Sequence, residues 1–148
     1  MSKDKGKVKG GEKLHKRFEK IKRDALKELK FSIGRSVLLV QSTAVQSIQA
    51  GGMGEVVVRY NPTRTHSASA PGDPPATDTG HLVANISTRV KVDGDDVVGE
   101  VISSAAYSKA LEYGYAPNNL EPRPFMRPAL MENKQKIESI IRSGDFVR

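Results

Sequence analysis

Residues 12–48 read EKLHKRFEKIKRDALKELKFSIGRSVLLVQSTAVQSI. Apolar side chains at Leu14, Phe18, Ile21, Ala25, Leu29, Ile33, Val37, Val40, Ala44 and Ile48 follow one another at steps of three or four. The mean step, about 3.8 residues, lies close to the 3.6-residue turn of an α-helix, so the spacing predicts one long helix with an apolar stripe. The opposite face of its first half is Lys, Arg and Glu. Among its i,i+4 neighbours Glu19 and Arg23 attract while Asp24 and Glu28 repel, so side-chain pairing alone does not hold the helix. Gly34 interrupts the pattern at ~1 kcal/mol relative to Ala and marks a kink or a close packing contact. Ala50-Gly51-Gly52 ends it. At ~1.5 Å per residue the segment 12–49 would span roughly 55 Å, longer than so small a body is wide. A helix that overhangs its own domain is expected to lie against another chain.

The chain has 148 residues, the length of one domain. Its formal net charge is +7, and the location of that charge is more telling than its size. Residues 1–30 hold 12 Lys and Arg against 5 Asp and Glu, whereas residues 31–148 hold 12 against 12. A neutral body thus carries a basic head, which suits a local contact with something polyanionic or acidic; the plainer alternative is a solvated helix face. Residues 1–11 alternate Lys with Gly, Ser and Asp and offer almost nothing to bury, so they read as a disordered basic arm, with a single domain over 12–148.

Downstream of the helix, Glu55 to Tyr60 is a short β-branched strand. Residues 61–80 carry four prolines, two glycines and no Val, Ile, Leu or aromatic residue, so they read as a long loop without core elements. Asp78-Thr79 can cap a short turn through Gly80 to Val83. Ile86 to Val92 and Val97 to Ser103 alternate apolar and polar residues on either side of Asp93-Gly94-Asp95-Asp96, the pattern of a hairpin with one buried face. Ala105 to Tyr113 fits a helix ending at Gly114, and a last helix is expected from about Pro128, near N1, to Ser143. The outline is α+β: a long N-terminal helix, one small, mainly antiparallel sheet of three to four strands, and two C-terminal helices packed on one face.

Chemical constellations are weak. With no cysteine, disulfides, thiol nucleophiles and Cys-based metal sites are excluded. The longest apolar run, Val37 to Val40, is far short of the ~20 residues of a membrane span, and the Lys/Gly-rich N-terminus does not resemble a secretory leader. A Ser67, His81 and Asp78 set can be drawn, as it can from most polar loops, and no nucleophile elbow, phosphate-binding loop or zinc-protease motif is present. Asp93, Asp95 and Asp96 lack the glycine and bidentate Glu offsets of a calcium loop and read as a turn. No catalytic, metal or cofactor-binding residue is expected, and no cofactor. An overlong helix, a Pro-rich loop and free sheet edges instead point to assembly.

Two segments carry a family resemblance. Ser69-Ala-Pro-Gly-Asp-Pro-Pro-Ala-Thr-Asp-Thr-Gly-His-Leu-Val-Ala-Asn-Ile86 is one; Tyr107-Ser-Lys-Ala-Leu-Glu-Tyr-Gly114 followed by Pro122-Arg-Pro-Phe-Met-Arg-Pro-Ala129 is the other. In this order they resemble the tail-completion (minor tail, neck) proteins of long-tailed bacteriophages, with tail terminators as fold relatives, over about residues 12–143. The resemblance implies a non-enzymatic virion protein of the neck, assembled in the host cytoplasm and forming a ring, six-membered by expectation, between the head connector and the tail tube. DNA would pass transiently and without sequence preference through the lumen. It implies partners in copies of itself, a head-closure or connector protein and the tail-tube protein, and no membrane. Candidate interface residues in the loop and at the sheet edge are Arg64, His66, Pro71, Pro74, Pro75, Asp78 and Thr79. Gly80, Leu82, Tyr107, Glu112, Gly114, Arg123, Pro124, Phe125 and Pro128 would support the fold, with Glu112 and Arg123 as an ion-pair candidate. Lys16, Lys20, Lys27 and Lys30 are candidates for a lumen- or DNA-facing row. The alternative reading is a small nonspecific nucleic-acid-binding module using the basic arm and helix.

Overall fold

A computed structural model describes residues 10–144 apart from Met53 and Asn61. The basic arm lies outside the described residues as far as Lys9. Helix α1, Gly11–Ala50, runs unbroken for 40 residues, about 60 Å at 1.5 Å per residue. Its apolar stripe divides by position. Val37, Val40, Ala44 and Ile48 are buried; Ala25, Leu29 and Ile33 are half-buried; Leu14, Phe18 and Ile21 are exposed. A Cβ added at Gly34 would meet nothing within 4 Å, so this glycine does not serve the close packing contact entertained from the sequence.

Strands β1, Val56–Tyr60, and β2, Thr63–Ser67, form an antiparallel hairpin with Tyr60 opposite Thr63. The expected loop therefore begins at residue 68 rather than 61. The segment Thr63-Arg-Thr-His-Ser lacks aliphatic residues, but its threonines are β-branched and its ladder partner is the valine-rich β1. After the one-turn helix α2, His81–Ala84, strands β3, Ile86–Asp93, and β4, Asp96–Ser103, form a second antiparallel hairpin. Gly94, at φ 58°, takes the first central position of its two-residue turn. The four strands thus make two separate two-stranded sheets, not one sheet of three to four. The α+β class stands; among the described residues the strands pair only within their hairpins.

Helix α3 spans Ser108–Tyr113, a 3₁₀ turn Ala116–Asn118, and α4 spans Met126–Arg142. The last helix starts two residues before Pro128, which sits in its first turn where a missing N–H leaves no helical bond unmade. The buried half of α1 packs against α4 and both strands of the second hairpin. The core gathers Val40, Ala44, Ile48, Leu82, Ile86, Ala105, Phe125 and Ala129. Two features set how closely the layers approach. A Cβ on Gly99 of β4 would fall 2.6 Å from both Ile33 Cγ2 and Val37 Cγ1, so strand and helix meet where there is no side chain. Two side-chain amides also tie α1 to its neighbours: Gln41 Nε2 donates to the Ile86 carbonyl at 2.8 Å, and the buried Asn133 Nδ2 donates to Thr43 Oγ1 at 2.8 Å.

Candidate assembly surfaces

The core accounts for half of α1 and for the inner face of the second hairpin. Among the described residues it leaves several apolar surfaces uncovered, three of them extended. The first is the start of α1. The tip of the β3–β4 hairpin meets the helix where Asp95 Oδ1 and Lys22 Nζ stand 2.5 Å apart. The hydrogen bond to Asp95 and the charge beside it hold the Lys22 ammonium above its ordinary pKa. N-terminal to that contact Leu14 and Phe18 are exposed, Phe18 at 59%. The second surface is the β1–β2 hairpin. Val56 is 65% and Tyr60 78% exposed, and Val57 and Val58 are exposed between them. An isolated two-stranded ribbon is marginal in water, and its outer edges are open to strand addition. The third is a cleft of 660 Å³ between α1, β4, α3 and α4, lined by Ile33, Val37, Val101, Met126, Leu130 and Met131 among others. Met131, on its rim, is 60% exposed.

The segment 68–80 is tied to the body at several points. Gly72 N–H donates to the Pro122 carbonyl at 2.9 Å, Thr77 N–H to the Ile48 carbonyl at 3.3 Å, and Gly54 N–H to the Ala68 carbonyl at 2.9 Å. Pro75 and Ser69 are buried and Pro74 is half-buried, so these loop residues pack inward. Pro71 and Thr79 are exposed, and Asp78 and His66 are half-buried with Oδ1 and Nδ1 3.9 Å apart. The side chain of Arg64 lies outside what is described.

Of the fold-supporting candidates, Phe125 and Leu82 are in the core and Pro124 is half-buried. Tyr107 packs at the surface against His81, with ring centroids 6.0 Å apart and its hydroxyl 3.4 Å from His81 Nδ1. Gly80, at φ 75°, precedes α2. Gly114, at φ 80°, has no room for a side chain: a Cβ would lie 2.9 Å from the Leu120 carbonyl oxygen. Glu112 does not make the anticipated ion pair with Arg123. Its carboxylate instead accepts from three backbone N–H groups at the start of α4: Phe125 at 2.9 Å, Met126 at 3.0 Å and Arg127 at 2.8 Å. The first N–H groups of a helix have no partner within it, and the positive end of the helix dipole favours an anion there. Phe125 at the N-cap supplies no side-chain bond, so Glu112 reaches across from α3 to do so. Arg123 donates its own N–H to the Leu111 carbonyl at 2.7 Å, and its buried Nε has no hydrogen-bond partner among the described residues.

Asp78 and His81 line one polar cleft of 310 Å³ together with His66, Tyr107 and Arg123. The Ser67 hydroxyl donates to the Gly52 carbonyl, away from the role of a nucleophile paired to His81. Among the described residues no group of three or more His, Asp or Glu side chains is placed to hold a metal ion, and no helix is long and apolar enough to cross a membrane. Lys16, Lys20, Lys27 and Lys30 are all exposed along α1. The β1–β2 valine ribbon and the 660 Å³ cleft were not anticipated from the sequence; the run of three valines at 56–58 is the signal that could have marked the ribbon as two-faced.

No curated protein and no solved structure gives a match to the chain. The family described as "Bacteriophage HK97-gp10, putative tail-component" matches residues 9–114. That stretch runs from the start of α1 through both hairpins and α3, including Glu112 but stopping short of the helix it caps. With well over half of its length matched, this chain belongs to the HK97 gp10-like family of phage tail components.

Proposed function

We propose that the protein is a structural, non-enzymatic subunit of the neck of a long-tailed phage, closing with copies of itself into a ring at the head–tail junction. Six is the copy number that the motif resemblance implies. The ring would join the head-closure or connector protein to the tail tube and leave a lumen for DNA; assembly would take place in the host cytoplasm. The observation that carries the reading is the exposed apolar stripe on the first half of α1, which continues the stripe that the second half buries. A helix that spends half its stripe on its own core and leaves the rest bare has a partner outside the chain.

The β1–β2 ribbon is the second contact in this reading, its edges adding to strands of a neighbour. On the loop, Pro71 and Thr79, with His66 and Asp78 behind them, would touch the next subunit or the tube. Pro75 is buried and Pro74 half-buried, so in this reading they hold the loop's course more than they present a contact surface.

Light scattering on the purified protein, alone and with tail-tube protein, tests the proposal. Six copies of 16.1 kDa would give a particle of about 97 kDa, either alone or on the tube. A subunit that stays at 16.1 kDa under both conditions would refute it.

A further inference from the structure

We infer that the outward face of α1 between Lys13 and Lys30 is a docking surface for the phosphate backbone of double-stranded DNA. Lys13, Lys16, Lys20, Arg23, Lys27 and Lys30 recur at steps of three, four, three, four and three. Because α1 is continuous from Gly11 to Ala50, they stand in one row, within a sector of about 100° and over about 25 Å of helix. All six are exposed. Glu12, Glu19, Asp24 and Glu28 fall along the borders of the sector, and among the described residues none of the six cations makes an ion pair with them. The helix cation that does pair, Lys22, points elsewhere, to Asp95. The row lies on the far side of the helix from Leu14, Phe18 and Ile21, so one face can meet protein while the other meets a polyanion.

Charge complementarity selects the occupant. Like charges at i,i+3 and i,i+4 repel one another and weaken a helix unless something opposes them. A small anion would oppose one or two. A duplex carries one negative charge per ~1.7 Å of axis, so 25 Å of it presents about 15 charges to the row. An acidic protein is the poorer fit: five of the six residues are lysine, and between Lys13 and Lys30 no aliphatic or aromatic side chain interrupts the row, the exposed Phe31 standing just past its end, whereas protein interfaces deplete lysine and enrich aromatics and arginine. Lysine is a hydrated point charge on a flexible stem, suited to a phosphate track rather than to base recognition.

The inference rests on the ring reading only for where the DNA would be met, and its test does not need a ring. Full-length protein is titrated onto a labelled 30-base-pair duplex and followed by fluorescence anisotropy at several salt concentrations, with light scattering of the same samples reporting the oligomer separately. The wild type should bind at ~50 mM salt with an affinity that falls linearly in log–log form. The variant with Lys16, Lys20, Lys27 and Lys30 each changed to Gln should bind at least tenfold more weakly, with a slope shallower by about three to four. The same four positions changed to Arg should retain binding. Arg127, Lys134, Lys136 and Arg142 changed to Gln remove equal charge from α4 and should change affinity less than twofold. Absence of wild-type binding, equal losses in the α1 and α4 Gln variants, or loss in the Arg variant would each overturn the inference. So would poly-glutamate binding as tightly as the duplex, which would assign the row to an acidic protein.

Discussion

The two halves of α1 share one period and have opposite surroundings. From Ser32 to Ile48 the stripe faces α4 and the second hairpin and is closed from water; from Gly11 to Ile21 the same spacing faces solvent. The sequence differs between them in a way that matches. The inner half uses Ser32, Ser36 and Ala44 beside Val37, Val40 and Ile48, small residues that let other elements approach, and Ser36 Oγ is satisfied by the Ser32 carbonyl at 2.9 Å. The outer half carries Leu14 and Phe18, large apolar side chains that stay exposed. Periodicity therefore specifies a helix and its apolar side, and the tertiary partners decide which part of that side the chain's own core covers.

The largest expected effect sharpens this contrast. Ile48→Ala, at a site fully closed from water, should lower stability by about 2–5 kcal/mol in urea unfolding. Phe18→Ala should leave the subunit within about 0.5 kcal/mol of wild type and weaken its association with other copies. Should Phe18→Ala destabilise the isolated subunit as much as Ile48→Ala does, the outer half packs within its own chain and the contrast fails.

Gly99→Ala comes next, at an expected loss of about 1–3 kcal/mol, because the new methyl would fall onto Ile33 and Val37. A similar but smaller effect, about 1–2 kcal/mol, is expected for Glu112→Ala, which strips the N-terminus of α4 of its acceptor; both are read as shifts of the thermal midpoint. Gly34→Ala, at the boundary between the two halves, should have the opposite sign. The added Cβ is unobstructed and the helix gains roughly 0.5–1 kcal/mol of propensity.

The smallest effect belongs to the Lys22–Asp95 contact. The Lys22 ammonium is held above its ordinary pKa, so on the alkaline side whatever the pair contributes is present at neutral pH and is lost only as pH rises through that raised value. Unfolding measured between pH 6 and 9 should show no step from this group. Such a step, abolished by Asp95→Asn, would contradict the assignment.

Much of this was legible in the chain. The helix stripe and the second hairpin follow from period and hydrophobicity, whereas Leu82 and Phe125, which lie in the core, were marked as fold-supporting only by the resemblance. What escaped the reading depends on tertiary partners. Strand β2 is polar along its length, Thr63 and Thr65 being exposed and His66 and Ser67 half-buried, so it offers no apolar alternation to read. The start of α4 is fixed by a carboxylate thirteen residues upstream of Phe125, which no local capping pattern shows. Prolines build no core element, so the sequence does not show that Pro75 is buried or that the Thr77 N–H donates to the Ile48 carbonyl at the end of α1.

The absence of native cysteine allows the central claim to be tested at a single side chain. Phe18→Cys and, as a surface reference, Lys134→Cys would be reacted with a maleimide in the isolated subunit and in the particle assembled with tail-tube protein. Coverage of the outer half of α1 by another copy predicts that Phe18→Cys reacts at least tenfold more slowly in the particle while Lys134→Cys keeps its rate. Equal reactivity of Phe18→Cys in both states would contradict it.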